Sequence, residues 1–304
     1  MQQSLKSINQ TGGHILKYFV NTNEILRKVI NSSESKFNEK PNMSEDCLYL
    51  NVFMNSDLNI KSNRPVMLWI HGGGFIYGNG TSTILYDGSI LAAFADVIVV
   101  TMNYRLGLFG FLSANHSDLG GNYGIYDQIM ALKWVKDNIK SFGGNPDNIV
   151  IFGESAGAMS VGFHLISKLF KNLFKRAILQ SGNAINLLSL RGKDNLNKGA
   201  IDVIQGVSCP LPAKKDINTI QQISSLSLSC LRKVNASDLL ELELRLYKKF
   251  VQFMPSEDEN LFGGHPYDSV KEHRFSTKTE IIIGSNSDEG ITSHSPQVPH
   301  LFKH

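Results

Sequence analysis

A serine held between two glycines, where an apolar run gives way to a helix-forming run, is a pattern that can make a nucleophile. The segment NIVIFGESAGAMSV at residues 148–161 has it, with Ser155 between Gly153 and Gly157. Residues 149–152 read as a buried strand, and the turn that follows is so tight that its flanking residues must be small. The serine then projects above the carboxyl end of the strand. The helix begins at once, so that its first amides, that of Ala156 foremost, face the place where a carbonyl oxygen would gain negative charge. A GxSxG match is weak alone in a chain with 26 glycines. Two further segments strengthen it. The apolar run PVMLWI at residues 65–70 leads into His71, Gly72, Gly73, Gly74 and Phe75, a glycine loop whose bare backbone can approach a ligand and supply more oxyanion amides. The run EIIIG at residues 280–284 leads into SNSDEG, which offers Glu289 as a carboxylate beyond a strand end, after the serine in chain order as a Ser-acid-His triad on this kind of sheet requires.

Each of these groups follows a predicted strand. Strands are predicted at 47–53, 65–70, 97–104, 148–152, 176–180 and 280–284, and helices at 89–94, 126–141, 156–169 and 236–250. In the second helix Ile129, Leu132, Val135 and Ile139 recur at three- and four-residue steps, the mark of a face packed on a sheet, and Trp134 reads as core. Residues 183–278 are more polar and irregular.

Six segments together carry a family resemblance: SEDCLYLNV (44–52), HGGGF (71–75), VIVVTMNYRLGLFGFLS (97–113), GNYGIYDQIMALKWVKDNIKSFGGNP (121–146), GESAGA and SDEG. In this order they resemble the type-B carboxylesterase and cholinesterase family of α/β hydrolases, from about residue 37 to 292. The resemblance implies an α/β-hydrolase fold, a mixed, mostly parallel sheet flanked by helices. It implies Ser155 as nucleophile, Glu289 as triad acid, and Gly73, Gly74 and Ala156 as oxyanion donors. His71 and Gly72 neighbour the site, and Glu154 tunes its electrostatics. Residues 183–278 match the insertion that roofs the active-site gorge, while 1–36 are polar and match none of the family's N-terminal strands. Phe37 stands where cholinesterases carry the tryptophan that stacks on a quaternary ammonium, and Leu188 falls near the acyl-pocket wall, where an aliphatic side chain admits acyl groups larger than acetyl. The implied substrate is a small carboxylic ester, a choline ester among the candidates, and a full-length relative could be a homodimer.

The family's catalytic histidine lies far downstream of the acid, whereas this chain ends at His304. His265 and His273 precede the acid, and His294, His300 and His304 follow it too closely. Loss of the base can cost about 10⁶ in kcat. The expectation is therefore of a family domain incomplete at both ends and nearly inactive as written, with apolar sheet surface left exposed. A noncatalytic adhesion module of cholinesterase-like type is the second reading.

Cys209 and Cys230 resemble the small-loop disulfide of secreted family members, and Cys47 lacks the upstream cysteine with which its family position pairs. Sequons at Asn9, Asn31, Asn42, Asn79, Asn115 and Asn235 point the same way, toward a secreted glycoprotein, although residues 1–20 do not read as a signal peptide. The charge is nearly balanced, with 30 basic and 27 acidic residues in 304 and no basic cluster interleaved with aromatics, which argues against nucleic-acid binding. No apolar run is long enough to cross a membrane, and a family-type anchor would have to lie further C-terminal. Neither a repeat nor a metal-ligand spacing is present, and no cofactor is implied.

Overall fold

The structure, a computed structural model, describes residues 44–55, 62–80, 86–114, 116–170, 172–185, 190, 196–212, 223–247, 251, 253–287 and 289. Among them six strands form one sheet in the order β1-β3-β2-β4-β5-β6. These are β1 Leu50–Phe53, β2 Arg64–Ile70, β3 Ile98–Met102, β4 Gly144–Glu154, β5 Arg176–Gln180 and β6 Glu280–Gly284. β1 runs antiparallel to β3, and every other neighbouring pair is parallel. The interior strand β3 is buried at every residue, as a strand flanked on both sides and covered on both faces must be.

The predicted strands all appear, β5 and β6 over their predicted spans and the other four with shifted ends. β4 begins four residues early because Gly144 pairs with Arg64 ahead of a register irregularity, and the polar, proline-containing stretch 145–148 bulges before pairing resumes at Ile149. The helices are α1 Ser89–Ala95, α2 Gly107–Phe111, α3 Tyr123–Asn138, α4 Ala156–Ile166, α5 Leu196–Gly206, α6 Ser225–Leu231, α7 Ala236–Tyr247, α8 Glu259–Phe262 and α9 Pro266–Lys271. Asn122, with φ of 56°, starts α3 three residues before the predicted point. Its side chain exchanges two hydrogen bonds with Ser256: Nδ2 donates to the carbonyl at 3.0 Å and Oδ1 accepts from the amide at 2.9 Å. Ile129, Leu132, Val135 and Ile139 are buried as the periodicity predicts, and Trp134 packs partly buried against the core. α4 is buried at ten of its eleven residues, because it crosses directly over the sheet. Residues 183–278, read as more polar and irregular, contain α5 to α9; α7 answers to the helix predicted at 236–250, and the other four show their apolar faces only once packed.

Cys209 and Cys230 form a disulfide, and Cys47 is free. β6 pairs with β5 and is exposed along its whole length, Ile282 at 64 % and Ile283 at 66 %. No helix of the described residues is long and apolar enough to cross a membrane, and no cluster of His, Cys, Asp and Glu there could hold a metal ion.

Candidate active site

Register brings the sequence motifs to one edge. Ile70 of β2 pairs with Gly153 of β4, Gly153 with Leu179 of β5, and Leu179 with Ile283 of β6. The residues just beyond these four positions are His71 and its glycines, Ser155, Ser181, and the turn that carries Glu289. Neighbouring parallel strands lie about 4.8 Å apart, so the serine's strand and the acid's strand are separated by about 10 Å. The open edge beyond strand carboxyl ends is where ligands bind on such sheets.

Ser155 takes φ 54° and ψ −119°, a conformation unusual for a residue with a side chain and one that costs about 1–3 kcal/mol. The surroundings impose it. Its amide donates to Gln180 O at 2.9 Å, and its carbonyl accepts the α4 bond from Met159 N at 2.9 Å. The flanking glycines leave no alternative: a Cβ on Gly157 would lie 2.0 Å from Ile70 O, and one on Gly153 would lie 2.6 Å from the Gly157 carbonyl carbon. Helix α4 therefore presses against the end of β2, and Ser155 is thrust out of the strand as a partly exposed residue with Ala156 buried beneath it.

The glycine loop lies against that elbow. A Cβ on Gly72 would sit 3.2 Å from the Ser155 Cβ and 2.8 Å from a Glu154 carboxylate oxygen. Gly73 (φ 104°), Gly74 (φ 62°) and Phe75 (φ 63°) continue in left-handed conformations, and Gly73 O accepts from the amides of Ile76 and Tyr77 at 3.0 and 3.2 Å. His71 anchors the loop and is fully buried. Its Nδ1 donates to Gly72 O at 2.9 Å, its ring stacks on Tyr104 at 4.4 Å, and its own carbonyl accepts from the Tyr104 hydroxyl at 2.8 Å. Burial lowers its pKa to about 4, against the opposing pull of the Gly72 carbonyl, so the ring is neutral and structural.

Glu289 is exposed. Its Oε1 accepts from the Ser181 hydroxyl and from Asn286 N at 2.9 Å, and these bonds, the Ser181 one first, hold its carboxyl below the ordinary range. Glu154 is exposed yet partly shielded at its carboxyl. That shielding, and then the charge of Glu289, raise its pKa. Two carboxylates at one site are thus pushed apart in acidity. No imidazole among the described residues contacts Ser155 or Glu289. His265 caps α9 by accepting from Tyr267 N, and His164 is buried beside Phe170 on the far part of α4. Phe37, Leu188, His294, His300 and His304 lie outside the described residues. Sequence reasoning overlooked Glu243, a buried carboxylate on α7. Its signal is a charged residue on the same stripe as Leu239, Leu242 and Leu246.

A strained serine turn, a glycine loop against it and a carboxylate two strands away lie along one edge of a sheet of the α/β-hydrolase kind. The chain belongs to the carboxylesterase family, whose model matches residues 22–301. It is 38 % identical over 269 residues to acetylcholinesterase 1 of Caenorhabditis briggsae, covering 88 % of this chain and 42 % of that protein. To carboxylesterase 5A of Mus musculus it is 41 % identical over 260 residues, covering 86 % of this chain and 42 % of that one. The fold superposes on a PNB esterase with a TM-score of 0.72 and 38 % identity, covering 86 % of this chain and 53 % of the other. The chain spans less than half the length of these curated relatives. Its lineage is that of carboxylic ester hydrolases.

Proposed function

We propose that the chain carries the nucleophile, oxyanion loop and acid of a serine hydrolase acting on small carboxylic esters through an acyl-enzyme on Ser155. The observation that carries this reading is the forced φ of 54° at Ser155 with Gly72 packed against its Cβ. Strain of that kind is kept where it exposes a reactive side chain. Ser155 Oγ attacks the ester carbonyl, a base takes its proton and passes it to the departing alcohol, and water then releases the acid in a second addition. The amides of Gly73, Gly74 and Ala156 receive the oxyanion, each contributing on the order of 3 kcal/mol in the transition state. Glu289 orients and stabilises the protonated base. Glu154 adds negative potential beside the nucleophile.

The described residues set no imidazole against Ser155, and the base is assigned to a group outside them. The aliphatic Leu188 and aromatic Phe37 favour acyl groups larger than acetyl and leave a choline ester within reach. The Cys209–Cys230 disulfide supports an oxidising, extracellular setting. Incubation with a fluorescent organophosphonate tests the assignment: peptide mapping should place the adduct on Ser155, and Ser155→Ala should remove it. Persistent labelling of Ser155→Ala would sink the nucleophile assignment. No labelling of the wild-type chain would favour a noncatalytic adhesion role. Rates on short-chain nitrophenyl esters against acetylthiocholine then separate the two substrate classes.

A further inference from the structure

The glycine loop is held from a distance. Phe75, which closes it, is fully buried; its carbonyl accepts from Gly107 N at 2.7 Å, and its ring meets the Phe111 ring edge-on at 5.2 Å. Gly107 and Phe111 are the first and last residues of α2, so that short helix grips Phe75 at both ends. The opening turn of α2 is fixed in its place by Glu243, whose Oε1 accepts from Leu108 N at 3.0 Å across 135 positions of sequence. Gly107 has φ of 54°, and a Cβ there would lie 2.0 Å from the same carboxylate oxygen. The carboxylate thus occupies the space a side chain at residue 107 would need.

We propose that Glu243 is a positioning residue for the oxyanion loop, acting through α2: it fixes the Leu108 amide and thereby the Gly107 amide that holds Phe75. This rests on reading residues 71–75 as that loop. Leu239, Leu242 and Leu246 seat α7 in the core, and a Cβ on Gly206 of α5 would touch the Leu242 side chain at 2.6 Å. Glu243 therefore projects from a rigid base. A carboxylate in a leucine stripe is costly to bury unless it accepts hydrogen bonds. Its bond to α2 is the use the fold makes of it.

Hydrogen–deuterium exchange on the full chain tests the link. In Glu243→Ala, amides of residues 72–77 and 107–111 should exchange about ten-fold faster, the equivalent of one lost hydrogen bond. Those of β4 and β5 should keep their wild-type rates. Glu243→Gln, which retains a carbonyl oxygen for Leu108 N, should return the loop to near its wild-type rate. An unchanged loop in Glu243→Ala, or acceleration spread evenly over the sheet, overturns the proposal. If Glu243→Ala does not fold, Glu243→Asp, whose carboxylate is withdrawn by one methylene, decides by the same readout. The bimolecular rate of Ser155 phosphonylation should fall about ten-fold with the loop's protection. A wild-type chain that is not phosphonylated sinks the hydrolase reading, while the exchange result still decides whether Glu243 holds the loop.

Discussion

At Ser155 and His164 the surroundings, rather than the residue type, decide what each side chain can do. Ser155 is exposed because Gly153 and Gly157 admit the close crossing of β2, β4 and α4. Gly157→Ala, with its Cβ 2.0 Å from Ile70 O, should cost about 3 kcal/mol in urea unfolding and slow phosphonylation of Ser155. Nine residues further on, in the helix that Ser155 caps, His164 is 2 % exposed, both ring nitrogens lack a partner among the described residues, and burial lowers its pKa to about 3. A base whose folded pKa lies below its unfolded value binds more protons when unfolded. Its stabilising contribution is complete above pH 6.5 and is lost as pH falls toward 3. His164→Leu should therefore gain on the wild type by about 2 kcal/mol between pH 8 and pH 5, read from urea midpoints at the two pH values. The tight turn at Ser155, the glycine loop and the placing of Glu289 just beyond a strand end were legible as sequence because each depends on local spacing. The neutrality of His71 and the isolation of His164 were not, since both arise from neighbours far along the chain.

Elements show the same division. β5 and β6 coincide with their predicted spans because each is a short apolar run set off by polar residues, whereas α2 escaped notice. At five residues, α2 is too short to display a helical period, and its start is fixed by Glu243 and Phe75 rather than by its own sequence. The same Glu243 makes a pH argument of opposite sign to His164. Burial, opposed by the Leu108 N–H, raises its pKa to about 7, so the folded chain binds more protons than the unfolded one between pH 4.5 and 7. Its contribution is complete below 4.5 and disappears as pH rises through 7. Relative to Glu243→Gln, the wild type should lose up to about 3 kcal/mol across that window, measured by denaturant titration at each pH. Asn122→Ala, which strains a left-handed residue and strands the buried polar groups of Ser256, should cost about 2–4 kcal/mol, seen as a lower midpoint with unchanged m-value.

Taken as a whole, the molecule joins a sheet built mostly from nearby segments to a helical layer inserted between β5 and β6. The Cys209–Cys230 disulfide lies inside that insertion, between positions 21 apart. Reduction should lower stability by about 3 kcal/mol in the chain-entropy account, measurable as a depressed melting temperature in reductant, with phosphonylation of Ser155 retained below the melt. The pairing of β5 with β6 brings Arg176 beside Glu280 across 104 positions. Closing a loop of that size costs about 4 kcal/mol before any contact offsets it. β2 pairs with β3 and β4 with β5 across much shorter spans, β2 with β4 across a comparable one, and all four strands emerge earlier during synthesis. The nucleophile elbow and its glycine loop can therefore form on the ribosome while the strand that brings Glu289 is still unmade. The order of assembly gives the nascent domain its strained serine turn before the strand that leads to Glu289, so of the groups in the proposed site that carboxylate arrives after the serine and the glycine loop.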